Sequence, residues 1–98
     1  MKIPKRFKLL GATIEVAENP NLVREKGWCG VAKYSKHIIE LAPVNSALQC
    51  SNTYIEQTFC HELVHFLLHA TGEPIRDNEQ FTELLGNCLH QVLTTMEY

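Results

Sequence analysis

The sequence predicts a small α+β domain in which a three- to four-stranded, mostly antiparallel sheet is followed by two helices. Three observations lead to this expectation. Apolar and polar residues alternate through much of the first half of the chain, as in half-buried strands. In the second half, apolar residues recur every three or four positions, which is the period of a helix. The length of 98 residues suits one modest core, so we expect a single domain over residues 1–98.

The first half contains four predicted strands. Residues 7–10 and 13–18 flank a glycine, and the second segment ends at an Asn-Pro-Asn sequence that is typical of a turn. Residues 27–34 and 37–41 flank a Ser-Lys pair, and this arrangement predicts a hairpin. Residues 43–52 are rich in Pro, Asn, Ser and Gln, so we expect them to form a connecting loop.

The first long helix is predicted to begin near residue 53. Thr53 and Glu56 fit a capping box, with Ser51 or Asn52 as alternative caps. The Gly-Glu-Pro sequence at 72–74 provides the stop. Apolar residues recur at helical spacing between these signals: Ile55, Phe59, Leu63, Phe66, Leu67 and Ala70.

A second helix is predicted from about Asp77 to about Met96. Asp77 and Gln80 suit its first turn. We expect its apolar residues to form the buried side of the helix: Phe81, Leu84, Leu85, Cys88, Leu89, Val92 and Leu93.

Composition excludes several classes of function. The net charge of −2 and the pI near 6.2 argue against a surface that binds nucleic acid, which normally needs a basic excess. No apolar stretch has the length of a membrane span, and no apolar segment follows the basic N-terminus as in a secretory signal. The four cysteines are irregularly spaced without a CxxC pair, so we expect reduced thiols in a cytoplasmic protein.

The motif with the clearest chemical meaning is His61-Glu62-Leu63-Val64-His65, which lies inside the first predicted helix. Residues four apart share a helical face, so His61 and His65 can present their imidazoles to one ion. Glu62 can hold and deprotonate a water molecule on the same side. Two neutral nitrogen ligands and an adjacent carboxylate base are what a hydrolytic zinc site needs.

A catalytic zinc site needs at least one more protein ligand. His69 continues the spacing but lies about 12 Å along the axis from His61 at 1.5 Å rise per residue, too far for one ion to bridge all three histidines. Glu79 and Glu83 lie four apart on the second helix, so one can bind the metal and the other can support a ligand histidine. We expect Glu79 to be the ligand and leave Glu83 as the alternative.

The segment from His61 to about residue 93 resembles the gluzincin metallopeptidases, in which a second helix after the HExxH helix carries a glutamate ligand. Their second helix has a Glu, a small residue three later, an acidic residue or Asn four later, and a small residue seven later. Glu79, Thr82, Glu83 and Gly86 fit that spacing, with Thr82 in place of the usual alanine. The whole chain is similar to the very small phage and mobile-element proteins of the ImmA/IrrE group and the minigluzincins.

The motif and the resemblance together imply a zinc-dependent peptidase that acts on a peptide or protein substrate with Glu62 as general base. An oxyanion could be stabilised by Tyr34, His37 or Tyr54, and a peptide could add to an exposed edge strand at 37–41. The alternative is a catalytically weak zinc-binding regulatory module with a protein partner, or a latent protease occluded by residues 1–6.

Overall fold

The computed structural model describes residues 1–98 and has a small α+β fold with a four-stranded mixed sheet. The strands are β1 (Arg6–Leu9), β2 (Ala12–Glu18), β3 (Gly30–Lys33) and β4 (Ile38–Leu41). The helices are α1 (Leu22–Lys26), α2 (Asn52–Ala70) and α3 (Glu79–Thr95). The α+β class, the four strands and the two long helices confirm the prediction, whereas the five-residue helix α1 was not predicted. None of the helices combines the length and apolar character needed to cross a membrane.

The strand order is β1-β2-β4-β3, which makes β3 an edge strand. Two of the three pairings are antiparallel, as predicted, and β2 pairs with β4 in parallel, with Val16 opposite Ile39. This parallel pairing puts β4 inside the sheet. The expectation that residues 37–41 form an exposed edge is therefore wrong, because β2 covers one side of β4 and β3 the other.

Helix α2 lies between the sheet and α3. Its N-terminus is capped by Ser51, whose hydroxyl accepts a hydrogen bond from the Tyr54 backbone N–H at 3.1 Å, so the cap is one of the predicted alternatives. Apolar residues from several sides of the helix are buried: Ile55, Phe59, Cys60, Val64, Phe66 and Leu68. A helix that is apolar on most sides belongs in the interior, which explains the central position of α2.

Helix α3 packs on α2 with the face that the sequence did not predict. Its buried residues are Thr82, Gly86 and His90, while Leu84, Leu85 and Val92 are exposed. The prediction that the apolar side faces the core is thus wrong for most of that side, although Phe81 is half-buried and Leu89 packs against the core. At Gly86 a β-carbon would lie 3.0 Å from His61 Cα and 3.1 Å from its backbone nitrogen. The two backbones come this close because the contact face of α3 carries small residues.

A buried polar contact also joins the two long helices. His90 Nε2 donates a hydrogen bond to Glu56 Oε1 at 2.9 Å, and the Met1 ammonium lies 3.1 Å from the same oxygen. Asn52 Nδ2 donates to the other oxygen at 3.0 Å. The hydrogen bond from His90, followed by the hydrogen bond and charge of the ammonium, lowers the pKa of Glu56 against the opposing effect of burial. His90 therefore has a structural role away from the HExxH motif.

Candidate metal centre

Helix α2 places His61 and His65 one turn apart, so their rings meet edge to face with centroids 4.7 Å apart. Their Nε2 atoms are separated by 3.1 Å. Both side chains are largely buried, with 19% and 12% exposed. The helix thus brings two imidazole nitrogens together at the surface that faces α3.

The first residue of α3 brings a carboxylate to the same point. Asn78 caps α3 by accepting the Phe81 backbone N–H at 2.9 Å, which fixes where the helix begins. Glu79 Oε2 lies 3.3 Å from His61 Nε2, and Glu79 Oε1 lies 3.0 Å from His65 Nε2. His61, His65 and Glu79, which we call the ligand cluster, form a group that could hold a metal ion.

Glu83 meets the cluster on a different side. Its Oε2 lies 2.8 Å from Nδ1 of His61, the ring nitrogen opposite the one that faces Glu79. This contact lacks hydrogen-bond alignment despite its short distance, and Nδ1 has no partner. The Glu83 side chain is 62% exposed, so it can rotate to accept the Nδ1 proton. Of the two glutamates, Glu79 lies where a ligand would be and Glu83 where a residue orienting His61 would be.

The spacing within the ligand cluster is short enough for one ion to contact all three residues. Ligand atoms at about 2.0–2.1 Å from a tetrahedral zinc lie about 3.3 Å from one another. The two Nε2 atoms are 3.1 Å apart, and each lies near a different oxygen of Glu79, His61 Nε2 at 3.3 Å from Oε2 and His65 Nε2 at 3.0 Å from Oε1. With one ligand atom from each residue, the three atoms lie within 4.8 Å of one another. The Glu79 side chain is 69% exposed, so it can rotate to bring one oxygen to the tetrahedral spacing. Glu79 makes no aligned hydrogen bond to either ring in spite of these short distances, so its carboxylate does not lie along their N–H directions. Two imidazoles and one carboxylate also leave a fourth position open for water or substrate.

His65 is held in the form that a metal requires. Burial, the largest effect, lowers the pKa of His65, although the charge of Glu79 opposes it. The imidazole is consequently neutral at pH 7, with a free lone pair. Its Nδ1 is buried without a hydrogen-bond partner.

Glu62 is a buried carboxyl beside the cluster, with 6% of its surface exposed. Burial raises the pKa of Glu62 to about 7, the charge of Glu79 adds to the increase, and His61 opposes it. One of its oxygens, Oε2, has no hydrogen-bond partner in the protein. A carboxyl with a pKa near neutrality and an unpaired oxygen suits a group that accepts and returns a proton.

A groove runs along the free edge of β3 past the ligand cluster. Three cavities of about 300, 250 and 320 Å³ share lining residues, and Glu62 lines all three. Gly30 and Val31 of β3 form the opposite wall. A β-carbon on Gly30 would lie 2.5 Å from Thr58 Cγ2, so glycine allows β3 to approach α2. The cluster is accordingly open to an extended molecule lying beside β3.

The other predicted site residues fall in different places. Tyr34 lines the cavity that contains Glu62, His65 and Glu79, and it stacks on His69 with ring centroids 4.0 Å apart. Burial, followed by the charges of Glu62, Asp77 and Glu79, raises the pKa of Tyr34. Its hydroxyl therefore stays protonated and able to donate.

Tyr54 lines the cavity at the opposite end of the groove. His37 is exposed in a left-handed conformation (φ 54°) after the turn that follows β3, and it lines none of the three cavities. The structure therefore does not place His37 beside the cluster, because the tight turn directs it away.

The N-terminal segment does not cover the groove. Met1 contacts Glu56, and Ile3 packs against the core. None of residues 1–6 lines the three cavities, so this segment does not have the occluding position considered from the sequence.

Sequence reasoning did not identify Gly30, Arg76 and Asp77 as parts of the groove. Arg76 and Asp77 line the cavity beside His65, on the loop between α2 and α3. No local motif marks them. The only signal for this position was the short connection between the two helices, which holds the loop close to the cluster.

Comparison of the chain with protein-family models, with curated proteins and with solved structures found no match. A functional assignment therefore depends on the chemistry and geometry of the site itself.

Proposed function

We propose that this protein is a zinc-dependent peptidase of the gluzincin type. The observation that carries the proposal is that the Nε2 atoms of His61 and His65 lie 3.1 Å apart, with an oxygen of Glu79 within 3.0–3.3 Å of each, so that one ion could contact all three residues. Two imidazoles, one carboxylate and an open position make up a donor set typical of catalytic zinc. The resemblance of the HExxH helix and the glutamate helix to gluzincins supports the same conclusion.

The residues have separate roles in this proposal. A zinc ion held by His61, His65 and Glu79 would supply a Lewis acid that makes water nucleophilic near neutral pH. Glu62 takes the proton from the attacking water, with Oε2 as the available acceptor, and later gives it to the leaving amine. Tyr34 lines the same cavity with a protonated hydroxyl, which is available to donate to the developing oxyanion.

The groove supports an extended peptide as the substrate. Edge strand β3 has one side unpaired within the sheet, and that side borders the ligand cluster. A peptide can add to such an edge through backbone hydrogen bonds, which brings a scissile carbonyl past the cluster. All four cysteines are free, as expected for the cytoplasm that we propose as the setting.

Metal analysis combined with peptide-library cleavage tests the proposal. We expect one zinc per chain and hydrolysis that is removed by a chelator and restored by zinc. Glu62→Gln should keep the zinc and lower hydrolysis at least about a hundredfold, because general-base loss commonly has that effect. Glu25→Gln, at an exposed position on α1, is the matched control and should be as active as the wild type.

Variants of the proposed ligands test which residues bind the zinc and which only support the site. Glu79→Gln and His61→Ala should each remove most of the zinc, whereas Glu83→Gln should weaken binding by about ten- to a hundredfold. Full zinc stoichiometry in His61→Ala/His65→Ala would contradict the metal site. Zinc binding without cleavage of any peptide would instead favour the regulatory module.

A further inference from the structure

Helix α3 presents an apolar stripe to solvent, on the side away from α2. At 100° per residue, its members fall within about 120° of the helix circumference. We call this set the outer stripe: Phe81, Leu84, Leu85, Cys88 and Val92 on the helix, together with the exposed Met96 directly after its last residue. The residues that contact α2 occupy another sector, centred on Gly86.

The outer stripe is too exposed to be explained by the packing within one chain. Leu84 is 64% exposed, Leu85 39%, Val92 49% and Met96 50%. Together these four side chains present on the order of 300 Å² of apolar surface, the size at which a patch often has a function. Two copies that meet along the stripe would together bury about 600 Å² of this apolar surface, which is the size of a weak, reversible interface.

We propose that the outer stripe is the interface of a homodimer in which α3 packs antiparallel to α3 of a second copy. A two-fold interface brings the same patch of both copies together, so like charges on the patch would meet. Residues 84–96 contain no Asp, Glu, Lys or Arg, and His90 among them is buried. The stripe of one copy can therefore pack against the stripe of a second copy without bringing like charges together.

The spacing of the stripe also fits a two-fold axis at Cys88, near the midpoint of α3. In an antiparallel pair centred there, Leu84 of one copy lies opposite Val92 of the other, and each Cys88 lies opposite its equivalent. The Leu–Val contact repeats on both sides of the axis. Apolar residues thus meet apolar residues from Leu84 to Val92, over about two turns at the centre of the helix.

Other occupants match the stripe less well. A helix that lies on a membrane surface normally has Lys and Arg beside its apolar face, and α3 has neither. A charged partner would find no complementary charge between residues 84 and 96. The second copy remains the occupant that the chemistry favours.

The proposed dimer leaves the groove accessible. Glu79 and Glu83 lie more than 90° around α3 from the centre of the stripe, on the sides towards α2. The inference is therefore independent of the proposed peptidase activity.

Light scattering after size exclusion tests the oligomeric state. We expect a mass of about twice the chain mass of 11.2 kDa at about 100 μM, and dissociation towards the monomer near 1 μM. Leu84→Glu and Val92→Glu should each raise the dissociation constant at least about a hundredfold, because each charge faces an apolar residue of the other copy. Leu48→Glu is the matched control, since Leu48 is fully exposed in a loop and its change should leave the dimer intact.

Oxidative cross-linking reports on the geometry directly. Cys88 is exposed whereas the other three cysteines are buried. Diamide, a two-electron oxidant, should join two Cys88 thiols as a disulfide with loss of two protons, giving a reducible dimer that is absent in Cys88→Ser. A monomer at 100 μM, or a dimer that persists in both Leu84→Glu and Val92→Glu, would overturn the proposal. A dimer that fails to cross-link through Cys88 would contradict the antiparallel arrangement.

Discussion

The two long helices, α2 and α3, differ in how their apolar residues relate to the core. Helix α2 lies between the sheet and α3 and buries apolar residues on most of its sides. Helix α3 lies at the periphery and buries Thr82, Gly86 and His90, while most of its larger apolar residues, Leu89 excepted, face solvent. An apolar period therefore predicts that a segment is helical, but for a peripheral helix it does not decide which face meets the protein.

The contact face of α3 is selected by polar and steric requirements. Gly86 allows the α3 backbone to come close to that of His61, and His90 forms the hydrogen bond that Glu56 needs when buried. The same orientation of the helix brings Glu79 to the two histidines. Turning the outer stripe inward would disrupt all three contacts, so the site and the exposed stripe are two consequences of one arrangement.

Among these variants, the largest loss of stability is expected for Gly86→Val. Its side chain would press against the His61 backbone, so we expect the free energy of unfolding to fall by about 3 kcal/mol, with weaker zinc binding. If Gly86 faced solvent instead, valine would be neutral or slightly stabilising, because glycine is the poorer helix former. Denaturant unfolding in EDTA measures the change, and Asn87→Val at the next, exposed position is the control.

The sequence predicted the site best where its geometry is local. His61, Glu62 and His65 lie within five residues of one helix, so helical periodicity alone puts the two imidazoles on one face. The choice of Glu79 over Glu83 depends on how α3 rotates against α2, which local periodicity does not determine. The geometry puts Glu79 beside both Nε2 atoms and Glu83 beside Nδ1 of His61.

The fold was likewise predicted well where local sequence patterns determine it and poorly where distant segments pair. Strand positions follow from local alternation, and β1, β2 and β4 lie within about one residue of the predicted segments, whereas β3 covers only Gly30–Lys33 of the predicted 27–34. The parallel pairing of β2 with β4 joins strands that are separated by α1 and β3, so no local pattern encodes it. The choice of 37–41 as the edge strand was wrong for this reason.

A smaller change in stability, and one that depends on pH, is expected when Glu56 is replaced. Its pKa is lower in the folded protein than its ordinary value of 4.5, chiefly because His90 donates a hydrogen bond to it. Its contribution is therefore complete above pH 4.5 and is lost as the pH falls through the folded value. We expect Glu56→Gln to cost about 2 kcal/mol at pH 7 and to flatten the decline in the free energy of unfolding as the pH falls below 4.5.

Urea unfolding in EDTA over this pH range measures the Glu56 effect without a metal contribution. Glu15→Gln is the control, because Glu15 forms only an exposed pair with Arg6 and should change stability by less than about 0.5 kcal/mol. A Glu56→Gln profile parallel to that of the wild type would show that the contact between the two helices contributes no pH-dependent stability.

The smallest effect, and the one most specific to the orientation of α3, is expected at Thr82. Its side chain is fully buried against α2, and its Oγ1 has no hydrogen-bond partner. A buried hydroxyl without a partner costs free energy, so Thr82→Val should raise the free energy of unfolding by about 1 kcal/mol. Thr82→Ser keeps the hydroxyl and removes the buried methyl group, so it should lower that free energy by about 1 kcal/mol. If both variants matched the wild type in denaturant unfolding, residue 82 would be exposed and the outer stripe would face the core. A higher free energy of unfolding for Thr82→Val and a lower one for Thr82→Ser would instead show that the small, polar side of α3 contacts the HExxH helix.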